Sequence, residues 1–268
     1  MNKRMLFLVL MSVLLSACGS QPSWENEDVS VVSDRIMADN VNIRWEIEEE
    51  PASESGRETY IRLEIRTDDG SPVEEFEINH EKLLHLIVVS KDLSYFRHIH
   101  PEYKGNGVFE IANEFPAGGE YRLIADFQPA GGDSMTKMEW VKLAGEPATP
   151  VPVVPDANWE KTVQGNRVRL AIGRPEATEE TTLTFSVTDE KTGQPVTDLQ
   201  PYLGAIGHVV ILSEDGERYV HVHAEEGQGT GPEAVFGTHF PKSGIYKIWG
   251  QFQRDNQVFT VPYVVNVQ

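Results

Sequence analysis

Six of the eight histidines fall into two copies of one pattern, in which a single His is followed thirteen residues later by a His-x-His. The copies are His85, His98 and His100, and then His208, His221 and His223. Three neutral imidazoles are suitable ligands for Cu(II) or Zn(II), and they leave one or two coordination positions for water or another group. The spacing therefore predicts a transition-metal site in each copy.

The histidine pattern lies inside a longer tandem duplication. Pro-Val stands thirteen residues before the first His of each copy, at residues 72–73 and 195–196. Phe115, Tyr121 and Phe127 recur with unchanged spacing, as Phe240, Tyr246 and Phe252. Duplication copies core residues as readily as ligands, so the histidines could equally form a hydrogen-bonded polar cluster or the wall of an organic-ligand pocket. The number and type of the side chains favour a metal.

A β-hairpin would bring each trio of histidines together. If Ser90 pairs with Tyr95 across the loop 91–94, then His85 lies opposite His100, and His98 lies one step away on the same face. The same register in the second copy places His208 opposite His223. Further candidate ligands lie nearby in the sequence: His239, with Glu114 at the matching position, and Glu102 and Glu225 after each His-x-His. His80 has no counterpart and is interpreted as incidental.

The N-terminus has the features of an export signal. Lys3 and Arg4 precede an apolar run that is too short to cross a bilayer. Leu15-Ser16-Ala17-Cys18 then resembles a bacterial lipobox. The resemblance implies cleavage before Cys18, lipidation of its thiol and an extracytoplasmic protein anchored to the cell membrane. The alternative is a soluble secreted protein that is cut at a nearby small residue.

Composition excludes several classes of function. The formal net charge of −19 disfavours binding to nucleic acid or to anionic lipid headgroups. Cys18 is the single cysteine, so neither a disulfide nor the usual blue-copper centre, which needs a thiolate, can form in the folded domains. No nucleophile elbow or phosphate-binding glycine loop is present, and the protein is not expected to be an enzyme.

Hydrophobic residues alternate with period two, which is typical of strands rather than helices. Each half contains seven candidate strands separated by Gly and Asp clusters, and this pattern predicts an all-β protein with two tandem β-sandwiches. The proline-rich stretch 144–157 reads as a spacer between them. The expected organisation is a signal peptide at 1–17, a tether at 18–29, a first sandwich at 30–143, a linker at 144–157 and a second sandwich at 158–268.

Two stretches carry a family resemblance: HLIVVSKDLSYFRHIHPEYKGNGVFEI and PYLGAIGHVVILSEDGERYVHVHAEE. They resemble YtkA-like and related cupredoxin-like or immunoglobulin-like domains that occur near bacterial copper-handling systems. The resemblance runs from about Pro72 or Pro195 to the end of each repeat. It implies extracytoplasmic metal binding, with copper foremost, and no known reaction. In the first repeat Leu84 replaces the glycine that precedes His208 in the second.

The leading hypothesis is a membrane-tethered lipoprotein that binds copper or zinc through a three-histidine cluster in each repeat and captures the metal or passes it to an unidentified extracytoplasmic protein. The alternative is a surface interaction or adhesion module in which the histidines are structural. A zinc hydrolase or lyase is the least favoured hypothesis. A strand-borne His-x-His with a third His resembles the carbonic anhydrase site, but the spacing identifies no general base.

Overall fold

A computed structural model describes residues 36–49 and 57–268, which belong to one compact unit, Arg35–Gln268. The predicted signal peptide, the tether and Cys18 lie outside the described residues, so the lipid anchor and the location outside the cytoplasm stay predictions from the sequence. In the described ranges the chain has one 3₁₀ turn and otherwise strands and loops. No helix within these ranges has the length and hydrophobicity needed to span a bilayer.

Domain 1 is a sandwich of two four-stranded antiparallel sheets. Sheet 1a has the order β1-β2-β6-β5, and sheet 1b has the order β4-β3-β7-β8. Its strands are β1 (Val41–Glu49), β2 (Arg57–Thr67), β3 (Leu84–Ser90), β4 (Phe96–Ile99), β5 (Glu102–Gly105), β6 (Val108–Phe115), β7 (Gly119–Phe127) and β8 (Met135–Leu143). In immunoglobulin lettering these orders are A-B-E-D and C′-C-F-G.

Domain 2 repeats this arrangement with one additional edge strand. Sheet 2a has the order β14-β15-β11-β10-β9, and sheet 2b has the order β13-β12-β16-β17. Its strands are β9 (Glu160–Val163), β10 (Asn166–Ile172), β11 (Glu180–Asp189), β12 (His208–Ser213), β13 (Tyr219–Val220), β14 (Val222–Ala224), β15 (Glu233–His239), β16 (Gly244–Arg254) and β17 (Gln257–Val267). Pro262 lies in β17 at the edge of sheet 2b, where the missing N–H costs no ladder hydrogen bond.

The predicted all-β, tandem immunoglobulin-like fold is confirmed, with more strands than the seven expected in each domain. The short strands β5 and β9 have too few apolar residues to show the period-two pattern. The candidate strand at 219–223 is divided between two sheets, as β13 and β14.

Each domain has a tyrosine corner, a feature of immunoglobulin-like sandwiches at the start of strand F. The Tyr121 hydroxyl donates to the Ala117 carbonyl at 2.9 Å, and the Tyr246 hydroxyl donates to the Lys242 carbonyl at 2.8 Å. Both rings are almost fully buried in the core of their own domain. The tyrosines that recur in the duplication therefore fix the connection between strands E and F in each repeat.

A third apolar cluster lies between the domains. In β3, Leu86 and Val88 face the core of domain 1, while the alternating Ile87 and Val89 face domain 2. The partners from domain 2 are Val210, Leu212 and Trp249 of sheet 2b, and Trp249 stacks on Phe96 with ring centroids 4.7 Å apart. The outer faces of sheets 1b and 2b thus pack against each other. This packing explains why six consecutive residues of β3 are buried, although successive side chains of a strand point to opposite faces.

Candidate functional site

The β3–β4 hairpin has the register that the sequence predicted. Ile87 pairs with His98 and Leu86 with Ile99. A serine and an aspartate fix this register at the turn. Ser90 Oγ and the Ser94 amide both donate to Asp92 Oδ1, and the Tyr95 amide donates to Ser90 Oγ. Domain 2 repeats the turn with Ser213 and Asp215, and its hairpin also begins in the predicted register.

In domain 1 the three predicted histidines come together. The ring centroids are 5.1 Å apart for His85 and His98, 5.0 Å for His85 and His100, and 4.9 Å for His98 and His100. One ring nitrogen of each lies within 4.8 Å of those of the other two. His85 is 3% exposed, so the cluster is covered from solvent on the side of β3.

The hydrogen bonds around the cluster determine which nitrogens carry protons. His85 Nε2 lies 2.9 Å from the Asn79 carbonyl, and His98 Nδ1 lies 2.7 Å from Gln251 Oε1. With Gln251 Oε1 toward His98, both partners are acceptors, and each of these nitrogens donates. In a neutral imidazole the second nitrogen then has a bare lone pair. These second nitrogens, His85 Nδ1 and His98 Nε2, face each other at 3.0 Å.

Burial keeps the histidines of the cluster neutral. Burial, together with the charges of His85 and Lys82, lowers the pKa of His100 to about 4. Burial also lowers the pKa of His85, and burial with the charges of the neighbouring histidines lowers the pKa of His98 well below its usual range. In addition, His100 Nε2 is buried without a hydrogen-bond partner among the described residues. Unprotonated, partly unsatisfied imidazoles are the form that binds metal ions.

The first histidine of the second repeat joins this cluster across the domain interface. The His208 ring stacks on the equivalent His85 ring with centroids 5.7 Å apart and planes 7° from parallel, and it lies 4.8 Å from the His98 ring. Burial, with the charges of the neighbouring histidines, lowers the pKa of His208 to about 3. His80, interpreted as incidental, also lies beside the cluster, with its ring 5.5 Å from that of His208. No local pattern in the sequence could have revealed these contacts across the interface.

The other histidines of the second repeat do not reach this cluster. The prediction that His208 lies opposite His223 is wrong, because His223 pairs with Gly237 in sheet 2a. His221 and His223 instead line a pocket with His239 on the outer face of that sheet. In domain 1, Glu102 and Glu114 belong to strands of sheet 1a and are exposed, so they are also separate from the cluster. Within the described residues, only the domain 1 trio satisfies metal-ligand spacing.

The comparisons with solved structures give low similarity. The Escherichia coli adhesin FdeC has 15% identity and a TM-score of 0.26, with 84% of this chain and 64% of that chain covered. InvD of Yersinia pseudotuberculosis has 14% identity and a TM-score of 0.26, with 86% and 58% covered. The titin immunoglobulin tandem A164–A165 has 9% identity and a TM-score of 0.21, with 85% and 96% covered.

The chain therefore spans less than two thirds of the first two of these structures, and similarity at this level carries no argument about function. No curated protein sequence matches the chain. None of these comparisons supports the association with copper handling that the YtkA-like resemblance implies, and that association stays a prediction.

A family model, in contrast, matches both repeats. It covers residues 36–144 and 161–268, each of which contains one sandwich and its histidine-bearing hairpin. With most of its length matched in two consecutive copies, the chain belongs to the family described as a domain of unknown function, DUF8832.

Proposed function

We propose that the protein binds one transition-metal ion, Zn(II) or Cu(II), in the histidine cluster between its two domains. The observation that carries the proposal is the 3.0 Å separation of His85 Nδ1 and His98 Nε2. Because the other nitrogen of each ring lies against an acceptor, these two nitrogens both have bare lone pairs when the rings are neutral. Two lone pairs at this distance repel unless a cation lies between them or beside them. A shared proton would place a charge on buried imidazoles, which burial disfavours.

The distances support a metal ion in this role. Zn–N bonds of about 2.0–2.1 Å in a tetrahedral site place ligand nitrogens roughly 3.3 Å apart. The separation of the facing nitrogens is close to this value, and His100 supplies a third imidazole whose Nε2 has no other described partner. His208 stands next to the three as the candidate fourth ligand.

The outer contacts support the same assignment. Histidines that bind a metal usually donate their second ring N–H to a carbonyl or carboxylate, which fixes the tautomer and the ring orientation. His85 has the Asn79 carbonyl for this purpose, and His98 has Gln251 Oε1. Gln251 is 4% exposed, and its amide nitrogen lies 3.5 Å from Thr260 Oγ1.

Electron paramagnetic resonance of the purified protein with one equivalent of Cu(II) tests the proposal without any substitution. We expect hyperfine coupling to at least three imidazole nitrogens. In parallel, titration calorimetry with Zn(II) is expected to show a site that is lost in His98→Ala, with circular dichroism as the check that this variant folds. Unchanged high-affinity binding by folded His98→Ala would overturn the proposal.

A second candidate function is a surface interaction module with structural histidines. One feature favours it: if Gln251 turned its amide NH₂ toward His98 Nδ1, neutral imidazoles could form an unbroken hydrogen-bonded chain from Gln251 to Asn79 without a metal. This arrangement predicts that Gln251→Leu lowers the melting temperature equally with and without a chelator. The metal centre predicts instead that a chelator lowers the melting temperature of the unaltered protein.

A further inference from the structure

The histidines that the second repeat does not contribute to the interdomain cluster lie together on the outer face of sheet 2a. On β14 the inward residues are Val222 and Ala224, which pack against the core of domain 2, so His221, His223 and Glu225 project outward. On β15 the buried residues are Ala234, Phe236 and Thr238, so Gly237 and His239 also project outward. The five outward-facing residues named here, three at β14 and two on β15, are therefore three histidines, one glutamate and one glycine.

The strand pairing brings these side chains into one group. His223 pairs with Gly237, and continuation of the same register places His221 opposite His239. The Thr238 hydroxyl donates to the His221 carbonyl at 2.8 Å, which holds the two strands together at this point. On the other side of β15, Glu180 pairs with His239. Cross-strand neighbours on one face have Cβ atoms about 4.5–5.5 Å apart, within reach of a shared ligand.

Gly237 lies at the base of the pocket and leaves space there because it has no side chain. It lies within β15, where a side chain would project between His223 and Thr182, its partners on the two neighbouring strands. A Cβ atom at this position would lie 3.4 Å from Glu225 Oε1, so the Glu225 carboxylate is next to the glycine. Glycine inside a strand often marks a place where a ligand approaches the backbone closely. The pocket above it has a volume of about 630 Å³ and is lined by the three histidines with Glu180 and Glu225.

We propose that this pocket is a second divalent transition-metal site, with His221, His223 and His239 as imidazole ligands and Glu225 or Glu180 as the carboxylate. Mixed imidazole and carboxylate donors are typical of zinc sites. The site is independent of the interdomain cluster, since it shares no residue with it. The three histidines are exposed, so rotation of their side chains brings the nitrogens together on binding, whereas the interdomain histidines are already assembled.

This difference predicts two sites of unequal affinity. Ordering exposed side chains costs conformational entropy that a preformed cluster does not lose, so the sheet 2a site is expected to bind Zn(II) at least about tenfold more weakly. Native mass spectrometry of the full chain with increasing Zn(II) is expected to show one ion at low metal and a second at higher metal. A His221→Ala, His239→Ala double variant should lose the weaker ion and keep the tighter one.

Further variants separate this site from the interdomain cluster. Gly237→Val fills the base of the pocket without removing a ligand and should also weaken binding of the second ion. Thr182→Ala, in the same pocket but without a ligand role, should leave that binding unchanged. His98→Ala should remove the tighter ion alone. Broadening of the His221, His223 and His239 ring resonances by Cu(II) locates the ion directly. Retention of two ions by the double variant, or absence of broadening at these three rings, would overturn the second site whatever happens at the first.

Discussion

Asp126 of β7 lies directly opposite His85 of β3 in sheet 1b. It is 9% exposed, and its Oδ1 is buried without a hydrogen-bond partner among the described residues. Burial therefore raises the pKa of Asp126 to about 6, an effect that the charge of His80 only partly offsets. The equivalent residue in the second repeat is Gln251, which lies opposite His208 in the same way and has an uncharged side chain.

Asp126→Asn is therefore expected to stabilise the metal-free protein at neutral pH. The folded-state pKa is above the unfolded value, so the native protein binds a proton more tightly. The associated stability is present below about pH 4 and is lost as the pH rises through about 6. At pH 8 the variant should gain about 1–3 kcal/mol in the free energy of unfolding. Urea unfolding with chelator at pH 8 and pH 4 measures this, and an equal effect at both pH values would contradict it.

At the scale of the element, the hairpin turn makes the cluster possible. A shift of one residue in the β3–β4 register would move His98 to the opposite face of the sheet. The turn resists such a shift through Asp92, which accepts hydrogen bonds from Ser90 and Ser94 with Oδ1 and from the Val151 amide of the interdomain segment with Oδ2. Burial alone would raise the pKa of Asp92, but these hydrogen bonds outweigh it and lower the pKa to about 2.

Asp92→Ala is expected to lower the free energy of unfolding by about 1–3 kcal/mol, because hydrogen bonds to a charged acceptor are lost. The same substitution should weaken Zn(II) binding at the interdomain cluster, since the hairpin then holds its register less firmly. Chemical unfolding and zinc titration of one preparation measure both effects. Asp39→Ala, at an exposed aspartate outside the hairpin, is the comparison, and an Asp92→Ala protein with unchanged stability would refute this role of the turn.

The hairpins also show how far sequence reasoning extends. The register next to both turns could be predicted, because it depends on local turn chemistry and on two-residue periodicity. The point where the chain leaves sheet 1b or 2b for the other sheet of its domain could not be predicted. In the first repeat Pro101 follows His100, and the chain changes sheets there, after the last histidine. The second repeat has Ala224 at that position, and the chain changes sheets after Val220, so that Val222 packs into the core and His221 and His223 face outward.

At the scale of the molecule, the feature hidden from the sequence is the packing of one repeat on the other. Ile87, Val89 and Ile124 form an apolar outer face on sheet 1b, and Ile87 and Val89 belong to the mostly apolar strand β3. What covers it depends on a partner more than a hundred residues away in the chain, which periodicity cannot identify. This packing also separates His208 from the trio expected in the second repeat, because it brings His208 against His85.

The interface is therefore expected to make the two domains unfold together, and Trp249→Ala tests this. Trp249 is 2% exposed and stacks on Phe96 of the other domain. Its removal should cost about 3–5 kcal/mol and leave a cavity between the sheets. Calorimetry of the unaltered protein should show one transition, and the variant should show two, with weaker zinc binding because the weakened interface no longer holds His208 against His85. Tyr60→Ala, on an exposed strand position, is the control. Two separate transitions in the unaltered protein, or an unchanged melting temperature in Trp249→Ala, would contradict coupling of the domains through this interface.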